Sequence, residues 1–238
     1  MEKKYKLTEE TINVNDRTLY RIEALKDFND VKKGDKGGFI EKEDNLSQEG
    51  NCWVYDDAKV FGGALVDDNA LVCDNAMVYG NAVVYGNASV FDNASISGRV
   101  MVYDNARICG NAMVYCNAEV YDNAKVCGDA LVYDYAEVYG NAVVFGNVEV
   151  FGNAEIYDDA EVYDDAKVFG YARIRGKAKI YGNAMVYGHT GVYDNSRVYE
   201  DARIYDSAKV YGDTKVYGKT EFCGNAIVYD DVVFNNNG

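Results

Sequence analysis

The chain has 238 residues, with no proline, 22 tyrosines, one tryptophan and one histidine. Its formal net charge of −15 argues against direct binding of nucleic acid, because such binding draws its affinity from basic side chains that neutralise phosphates. No apolar run is long enough for a membrane span or a secretion signal, so we expect a cytoplasmic protein that has no membrane partner.

Residues 1–51 keep no repeat and are expected to form an N-terminal cap. The alternation of apolar and polar residues over 12–22 predicts a β-hairpin that turns at Asn15 and Asp16. Segment 32–38, rich in lysine and glycine, is predicted to be a loop. A hairpin in this place would cover the unpaired strand edges at the end of a β-helix.

Residues 52–238 form the second predicted region, in which six-residue units follow one another without insertion from Val54. The first position of each unit up to Val228 is Val or Ile, except for Phe222, and the fifth position is mostly Ala. We expect both positions to point into a narrow core. The third position is mostly Gly or Asp and the fourth mostly Asn, Asp or Gly, so each unit supplies its own corner.

One short strand and one bend of about 120° per unit would close a triangular coil after three units. The sequence therefore predicts an all-β fold, a parallel β-helix of about ten coils. An α-helix would need apolar spacings of three and four residues, which the six-residue period excludes.

Aromatic residues fill the second position in 23 of thirty units, and they are expected to point outward and stack into ladders on all three faces. The ladders are interpreted as stiffening the solenoid, with an aromatic platform for a partner or a sugar as the alternative. The ladder near the C-terminal end is predicted to comprise Tyr181, Tyr187, Tyr193, Tyr199, Tyr205, Tyr211 and Tyr217.

Two stretches resemble the N-terminal signature of YdcK-like hexapeptide-repeat proteins, which occur in enterobacteria, phages and prophages. They are FNDVKKGDKGGFI at 28–40 and DNLSQEGNCWVY at 44–55. The units that follow are similar to those of the left-handed β-helix superfamily. This resemblance implies a left-handed coil, the label of an acyltransferase and relatives that are commonly trimeric. The enzymes usually need a histidine and loops that interrupt the coils, whereas no loop interrupts the units here.

His189 is the single histidine and takes a fourth position, where Asn is usual, so it is interpreted as a corner residue. The alternative is a base for acyl transfer, and no other catalytic residue is proposed. We expect no metal and no cofactor, since the six cysteines show no CxxC pair and one histidine cannot supply three zinc ligands.

One basic segment interrupts the acidic sequence, and it is the candidate binding site for a phosphate or an acidic partner, with local charge balance as the alternative. Its residues are Arg173, Arg175, Lys177 and Lys179.

The leading functional hypothesis is a non-catalytic binding or structural protein that engages a protein partner through rigid acidic and aromatic faces. Imitation of a nucleic acid, by carboxylates that would fill the basic cleft of a DNA-binding enzyme, is its sharper version. The alternative is an acyl-CoA-dependent acyltransferase. Residues 232–238 offer no evident cap, so homo-oligomers through this end or through the side faces are also predicted.

Overall fold

A computed structural model describes residues 3–229 and the strand 233–236, the latter without the side chains of 235 and 236. The chain forms two compact units, residues 1–116 and 117–238. The boundary at 51/52, taken from the start of the repeat, stays a prediction. The predicted oligomer contact through residues 232–238 falls largely outside the described residues.

Unit 1 begins with the hairpin that the sequence predicts. Strands β1 (Tyr5–Val14) and β2 (Arg17–Ala24) pair in antiparallel fashion. Asn15 and Asp16 between them have φ angles of 49° and 61°, which is the left-handed pair that a two-residue hairpin turn needs.

The third strand shows that the predicted loop over 32–38 is too long. Strand β3 (Lys36–Ile40) already begins at Lys36 and pairs with β2. A Cβ atom on Gly37 would lie 2.5 Å from the carbonyl oxygen of Val54, so the glycines let β3 approach the first coil closely. Their role is close packing rather than loop flexibility.

The cap is fixed to the first coil by a buried lysine. The Nζ atom of Lys4 donates to the carbonyl oxygens of Glu49 and Cys52 at 2.9 and 3.1 Å, and only 1% of Lys4 is exposed. Burial lowers the pKa of Lys4, because the charged ammonium loses water. These hydrogen bonds satisfy carbonyl groups that the irregular chain before the first coil leaves unpaired. A one-turn 3-10 helix (Glu43–Asn45) lies in the same segment.

The remaining strands of unit 1 have two residues each. They are β4 (Trp53–Val54), β5 (Lys59–Val60), β6 (Leu65–Val66), β7 (Leu71–Val72), β8 (Met77–Val78), β9 (Val83–Val84), β10 (Ser89–Val90), β11 (Ser95–Ile96), β12 (Met101–Val102), β13 (Arg107–Ile108) and β14 (Met113–Val114). Within unit 1 they form three sheets, in the orders β1-β2-β3-β5-β8-β11-β14, β4-β7-β10-β13 and β6-β9-β12.

Unit 2 repeats this pattern without a hairpin. Its strands are β15 (Glu119–Val120), β16 (Lys125–Gly128), β17 (Leu131–Val132), β18 (Glu137–Val138), β19 (Val143–Gly146), β20 (Glu149–Gly152), β21 (Glu155–Ile156), β22 (Glu161–Val162), β23 (Lys167–Gly170), β24 (Arg173–Ile174), β25 (Lys179–Ile180), β26 (Met185–Gly188), β27 (Gly191–Val192), β28 (Arg197–Val198), β29 (Arg203–Ile204), β30 (Lys209–Val210), β31 (Lys215–Gly218), β32 (Glu221–Phe222), β33 (Ile227–Val228) and β34 (Val233–Asn236). Within unit 2 the sheets are β17-β20-β23-β26-β29-β32, β16-β19-β22-β25-β28-β31-β34 and β15-β18-β21-β24-β27-β30-β33.

Strand pairing confirms the coil of eighteen residues. Ser89 pairs in parallel with Leu71 and Arg107 in unit 1, and Glu155 pairs with Glu137 and Arg173 in unit 2. Both units are therefore parallel β-solenoids with three sheets, and the all-β fold is confirmed. The left-handed winding stays a prediction from the resemblance. Among the described residues no helix has the length and apolar character that crossing a membrane requires.

The core consists of the first and fifth positions. Val162, Ile174 and Ala160 have no accessible surface, like nearly all their equivalents along both units. Burying each valine or isoleucine contributes about 1.5–3 kcal/mol, and the small alanines leave room for these branched side chains. The predicted orientation of both positions is confirmed.

Corners are built by the third and fourth positions, as predicted. Asp158 and Gly170 have φ angles of 58° and 77°, in the left-handed region. The Oδ2 atom of Asp158 accepts a hydrogen bond from the amide of Gly176, one coil further, at 3.2 Å. At the fourth position, the side-chain amide of Asn123 donates a hydrogen bond to the Oδ1 atom of Asn141 at 3.2 Å. The abundant Asp and Asn residues therefore have structural partners.

Candidate functional site

Outward side chains in unit 2 form columns, because equivalent residues of successive coils lie side by side. In the sixth-position columns, opposite charges often meet: Glu149 and Lys167 are 2.6 Å apart, and Glu161 and Lys179 are 2.8 Å apart. Such exposed pairs are worth less than about 1 kcal/mol each. Where these ion pairs occur, the two opposite charges cancel and the surface is nearly neutral.

The predicted tyrosines lie on all three sheets, as expected, and form a separate ladder on each. Tyr181, Tyr199 and Tyr217 stack beside β25, β28 and β31 with ring centroids 4.8 Å apart. Tyr187 stacks with Tyr205 at 5.2 Å on the second sheet. Partial burial raises the pKa of Tyr181 and Tyr199, because a phenolate would lose water between its neighbours.

On the third sheet, Tyr193 and Tyr211 lie 4.7 Å apart with their rings inclined by 37°. Beside this tilted pair, the columns of the second, fourth and sixth positions all depart from the repeat. We call this place the notch, and define it by Tyr171, Arg173, Arg175, His189, Thr190, Gly191, Tyr193 and Lys209.

At the corner of the notch, an aromatic pair replaces the usual row of amides. The rings of Tyr171 and His189 stack at 4.7 Å and both side chains are exposed. His189 therefore takes the corner position that the sequence predicts. None of the described residues forms a hydrogen bond with the imidazole ring of His189.

The floor of the notch is a glycine between two cations. Gly191 pairs with Arg173 on one side and Lys209 on the other, so the sixth-position column lacks a side chain there. The ring of Tyr193 leans into this space, since a Cβ atom on Gly191 would meet it at 2.4 Å or less. The guanidinium of Arg175 lies 4.7 Å from the centre of the same ring.

A cavity of about 270 Å³ opens at the notch, and Asn153 and Glu155 complete its lining. Thr190 lines it too, is 2% exposed, and its hydroxyl has no hydrogen-bond partner among the described residues. The hydroxyls of Thr214 and Thr220, in equivalent fifth positions, donate to main-chain carbonyls three residues back at 2.7 and 2.8 Å. Thr190 thus departs from the pattern of its equivalents.

A second site lies on the sheet of the Tyr181 ladder. We call it the basic ledge and define it by Lys177, Lys179, Arg197 and Lys215, which line a cavity of about 430 Å³ with Asn195 and Asp213. Lys179, Arg197 and Lys215 are in register on β25, β28 and β31. Lys179 pairs with Glu161, but within the described residues Arg197 and Lys215 have no carboxylate within 4.0 Å.

Comparison with known proteins finds relatives of parts of this chain. The family described as the YdcK β-solenoid repeat matches residues 70–86, 106–122 and 178–194. A curated relative from Escherichia coli (strain K12), named "Uncharacterized acetyltransferase YdcK", is 56% identical over 46 residues.

Three stretches of the chain are therefore similar to the YdcK β-solenoid repeat. The match to the curated relative covers 19% of this chain and 14% of the relative, so the chain covers only a small part of the relative's length. The third matched repeat contains His189 and Gly191 of the notch as well as Lys179 of the ledge. A phage or prophage origin stays a prediction.

The structure separates the basic segment that the sequence suggested as one site. Arg173 and Arg175 belong to the notch, whereas Lys177 and Lys179 belong to the ledge on another sheet. Arg197 and Lys215 were missed as binding residues, although the spacing of eighteen from Lys179 to Arg197, and from Arg197 to Lys215, was visible. No group of three or more His, Cys, Asp or Glu side chains that could hold a metal occurs in the described part of the chain.

Proposed function

We propose that the chain is a non-catalytic binding protein whose basic ledge binds an acidic surface of a protein partner. The observation that carries this proposal is the column of Lys179, Arg197 and Lys215. Neighbouring strands lie about 4.8 Å apart, and like charges directly opposite one another destabilise a sheet. A partner that supplies carboxylates would relieve this repulsion.

The residues around the basic ledge favour a protein partner over a small ligand. The stacked rings of Tyr181, Tyr199 and Tyr217 flank the cations on the same sheet. Tyrosine and arginine are the residue types that dominate binding energy in protein interfaces. The ledge is also a local exception in a chain of net charge −15, so it would orient an acidic partner on the solenoid.

Arg197→Glu is expected to weaken binding of a fluorescent polyglutamate peptide about tenfold or more at low salt, because it reverses the central charge of the column. The matched control is Arg203→Glu, which changes the net charge equally on another sheet, where Arg203 lies 3.7 Å from Glu221. Fluorescence anisotropy at several salt concentrations measures both. Equal losses in the two variants would mean that net charge alone governs binding, and would reject the ledge.

Imitation of a nucleic acid predicts a different partner. The acidic faces would then bind a basic DNA-binding enzyme, and Arg197→Glu would leave that binding unchanged or strengthen it. Capture of such an enzyme by both the unaltered chain and the Arg197→Glu variant would favour mimicry over the ledge.

Acyl-CoA-dependent acyl transfer is the second candidate, favoured by the relative's name and by His189 at the cavity of the notch. It ranks lower because a catalytic histidine is normally oriented by a hydrogen bond to its second ring nitrogen. Isothermal titration with acetyl-CoA separates the candidates. Micromolar binding that His189→Gln abolishes would favour the transferase, and absence of binding would favour the binding protein.

A further inference from the structure

We infer that a gap in one aromatic ladder of unit 1 is a binding site for the flat ring of a small aromatic carboxylate. We call it the ladder gap and define it by Tyr79, Ser95, Ser97, Arg99 and Tyr115. This inference does not depend on the function proposed for the basic ledge, because the ledge lies on strands β25, β28 and β31 of unit 2.

The ladder gap is a missing ring in a column of second positions. The rings of Phe61 and Tyr79 stack with their centroids 5.0 Å apart and their planes inclined by 5°. One coil further the equivalent residue is Ser97, and two coils further it is Tyr115. Tyr79 and Tyr115 therefore follow strands that are two spacings, or roughly 9.6 Å, apart. A flat ring that replaces the missing one would lie at the spacing of the ladder itself.

The face of Tyr79 that points away from Phe61 has no ring or cation against it in the described part of the chain. Two other breaks in the ladders are covered by a flat cation. In unit 1, the guanidinium of Arg107 lies 5.2 Å from the ring centre of Phe91. In unit 2, Arg175 takes the place of a ring and lies 4.7 Å from the ring of Tyr193. Because aromatic faces attract flat π groups and cations, the uncovered face at the ladder gap favours a ligand that stacks on it.

The floor of the ladder gap consists of two serines. Ser95 lies in register between Met77 and Met113 of the neighbouring strands, and Ser97 follows it on the same face. The hydroxyls of both serines have no hydrogen-bond partner among the described residues. Met113 is 44% exposed, and methionine sulfur makes favourable contacts with the edges of aromatic rings. The floor therefore offers hydroxyl donors, and its rims offer polarisable apolar surface.

The charge next to the ladder gap favours an anion. Arg99 occupies the adjacent corner and is exposed, and no carboxylate of the described residues lies within 4.0 Å of its guanidinium. The third positions of this corner are Gly62, Gly80 and Gly98, whereas aspartate is common at third positions elsewhere. The arginine therefore has no acidic side chain beside it in its own column of corners. Arginine and carboxylate groups form strong bidentate hydrogen bonds, so an aromatic carboxylate matches both the ring faces and this cation.

The test uses the full chain and sodium benzoate as the probe. Saturation-transfer NMR observes the ring protons of benzoate directly, and we expect a saturable signal with a Kd on the order of 1 mM. Cyclohexanecarboxylate carries the same charge on a thicker, puckered ring, and benzamide is flat but neutral. Both analogues should bind about tenfold more weakly or worse, because each lacks one of the two features that the ladder gap recognises.

Two variants locate the ligand. Ser97→Tyr inserts the missing ring and should abolish saturable binding without lowering Tm, because tyrosine occupies the equivalent positions 79 and 115. Arg99→Asn introduces the residue that is usual at the fourth position and should weaken benzoate binding about five- to tenfold. Arg197→Asn is the matched control, because it removes the same charge from the basic ledge of unit 2, and it should leave Kd unchanged.

Four results would overturn the inference: no saturable binding of benzoate, equal binding of either analogue, undiminished binding by a folded Ser97→Tyr variant, or equal weakening by Arg99→Asn and Arg197→Asn. The first two use only the unaltered chain, so they do not depend on the folding of a variant. Binding of the polyglutamate peptide is expected to be the same in the unaltered chain and in Ser97→Tyr, which separates failure of the ladder gap from failure of the basic ledge.

Discussion

Gly170→Val is expected to destabilise unit 2 by about 2–4 kcal/mol, because a β-branched side chain is strained in the left-handed region and its methyl groups crowd the next coil. Gly170 has a φ angle of 77°, which a β-branched side chain adopts only with strain. Its new Cβ atom would lie 2.9 Å from the amide nitrogen of Gly188 in the next coil. Urea unfolding followed by circular dichroism measures the loss.

Gly170→Asp is the matched control for this prediction. Aspartate takes the same corner position with φ angles of 58° at Asp158 and 61° at Asp164. Its carboxylate can accept the amide hydrogen of the following corner, as Asp164 does from Gly182 at 3.2 Å. We therefore expect a loss below about 1 kcal/mol. Equal losses for valine and aspartate would show that the backbone conformation does not limit this position.

Ala160→Leu is expected to destabilise unit 2 by about 3 kcal/mol, since extra methylene groups in a closed core force side chains and backbone apart. Ala160 has no accessible surface and lies in a sequence of buried first and fifth positions, with Val162 next to it. The strands above and below are fixed by main-chain hydrogen bonds, such as that from Glu161 to the carbonyl of Ala178 at 2.9 Å. The coil therefore has little freedom to expand, and thermal unfolding should occur at a clearly lower Tm.

Ala160→Ser tests whether volume is the cause. Ser196 occupies the equivalent position, is fully buried, and donates its hydroxyl to the carbonyl oxygen of Tyr193. Serine at position 160 can make the same hydrogen bond, so a loss below about 1 kcal/mol is expected. A leucine variant as stable as the serine variant would contradict a core that admits only small side chains at the fifth position.

Most of the fold could be predicted because the residue type at each position of the six-residue unit indicates whether that position lies in the core or at a corner. Valine at the first position and alanine at the fifth indicated the core, and Asp or Gly at the third indicated left-handed corners. The turn at Asn15 and Asp16 was also a local signal. Strand β3 was not predicted in full, because the role of Gly37 depends on its distance to Val54, which is far away in sequence.

The candidate sites could be predicted only in part. Arg175, Lys177 and His189 were identified as departures from the repeat, but the basic segment was taken as one site because its residues are neighbours in sequence. The predicted coil of eighteen residues does place Lys179 beside Arg197, and it also places Gly191 between Arg173 and Lys209. The unpartnered hydroxyl of Thr190 had no such signal, because its rotamer follows from packing in three dimensions.

The pairing of residues eighteen positions apart also constrains how the gene of such a protein can change in length. Loss of six codons between Lys179 and Arg197 would keep every valine inside, yet all later residues would move to the adjacent face and the two cations would separate. Loss or duplication of eighteen codons would preserve both the core and the faces. We expect natural variants of unit 2 to differ in whole turns, each carrying its surface pattern with it.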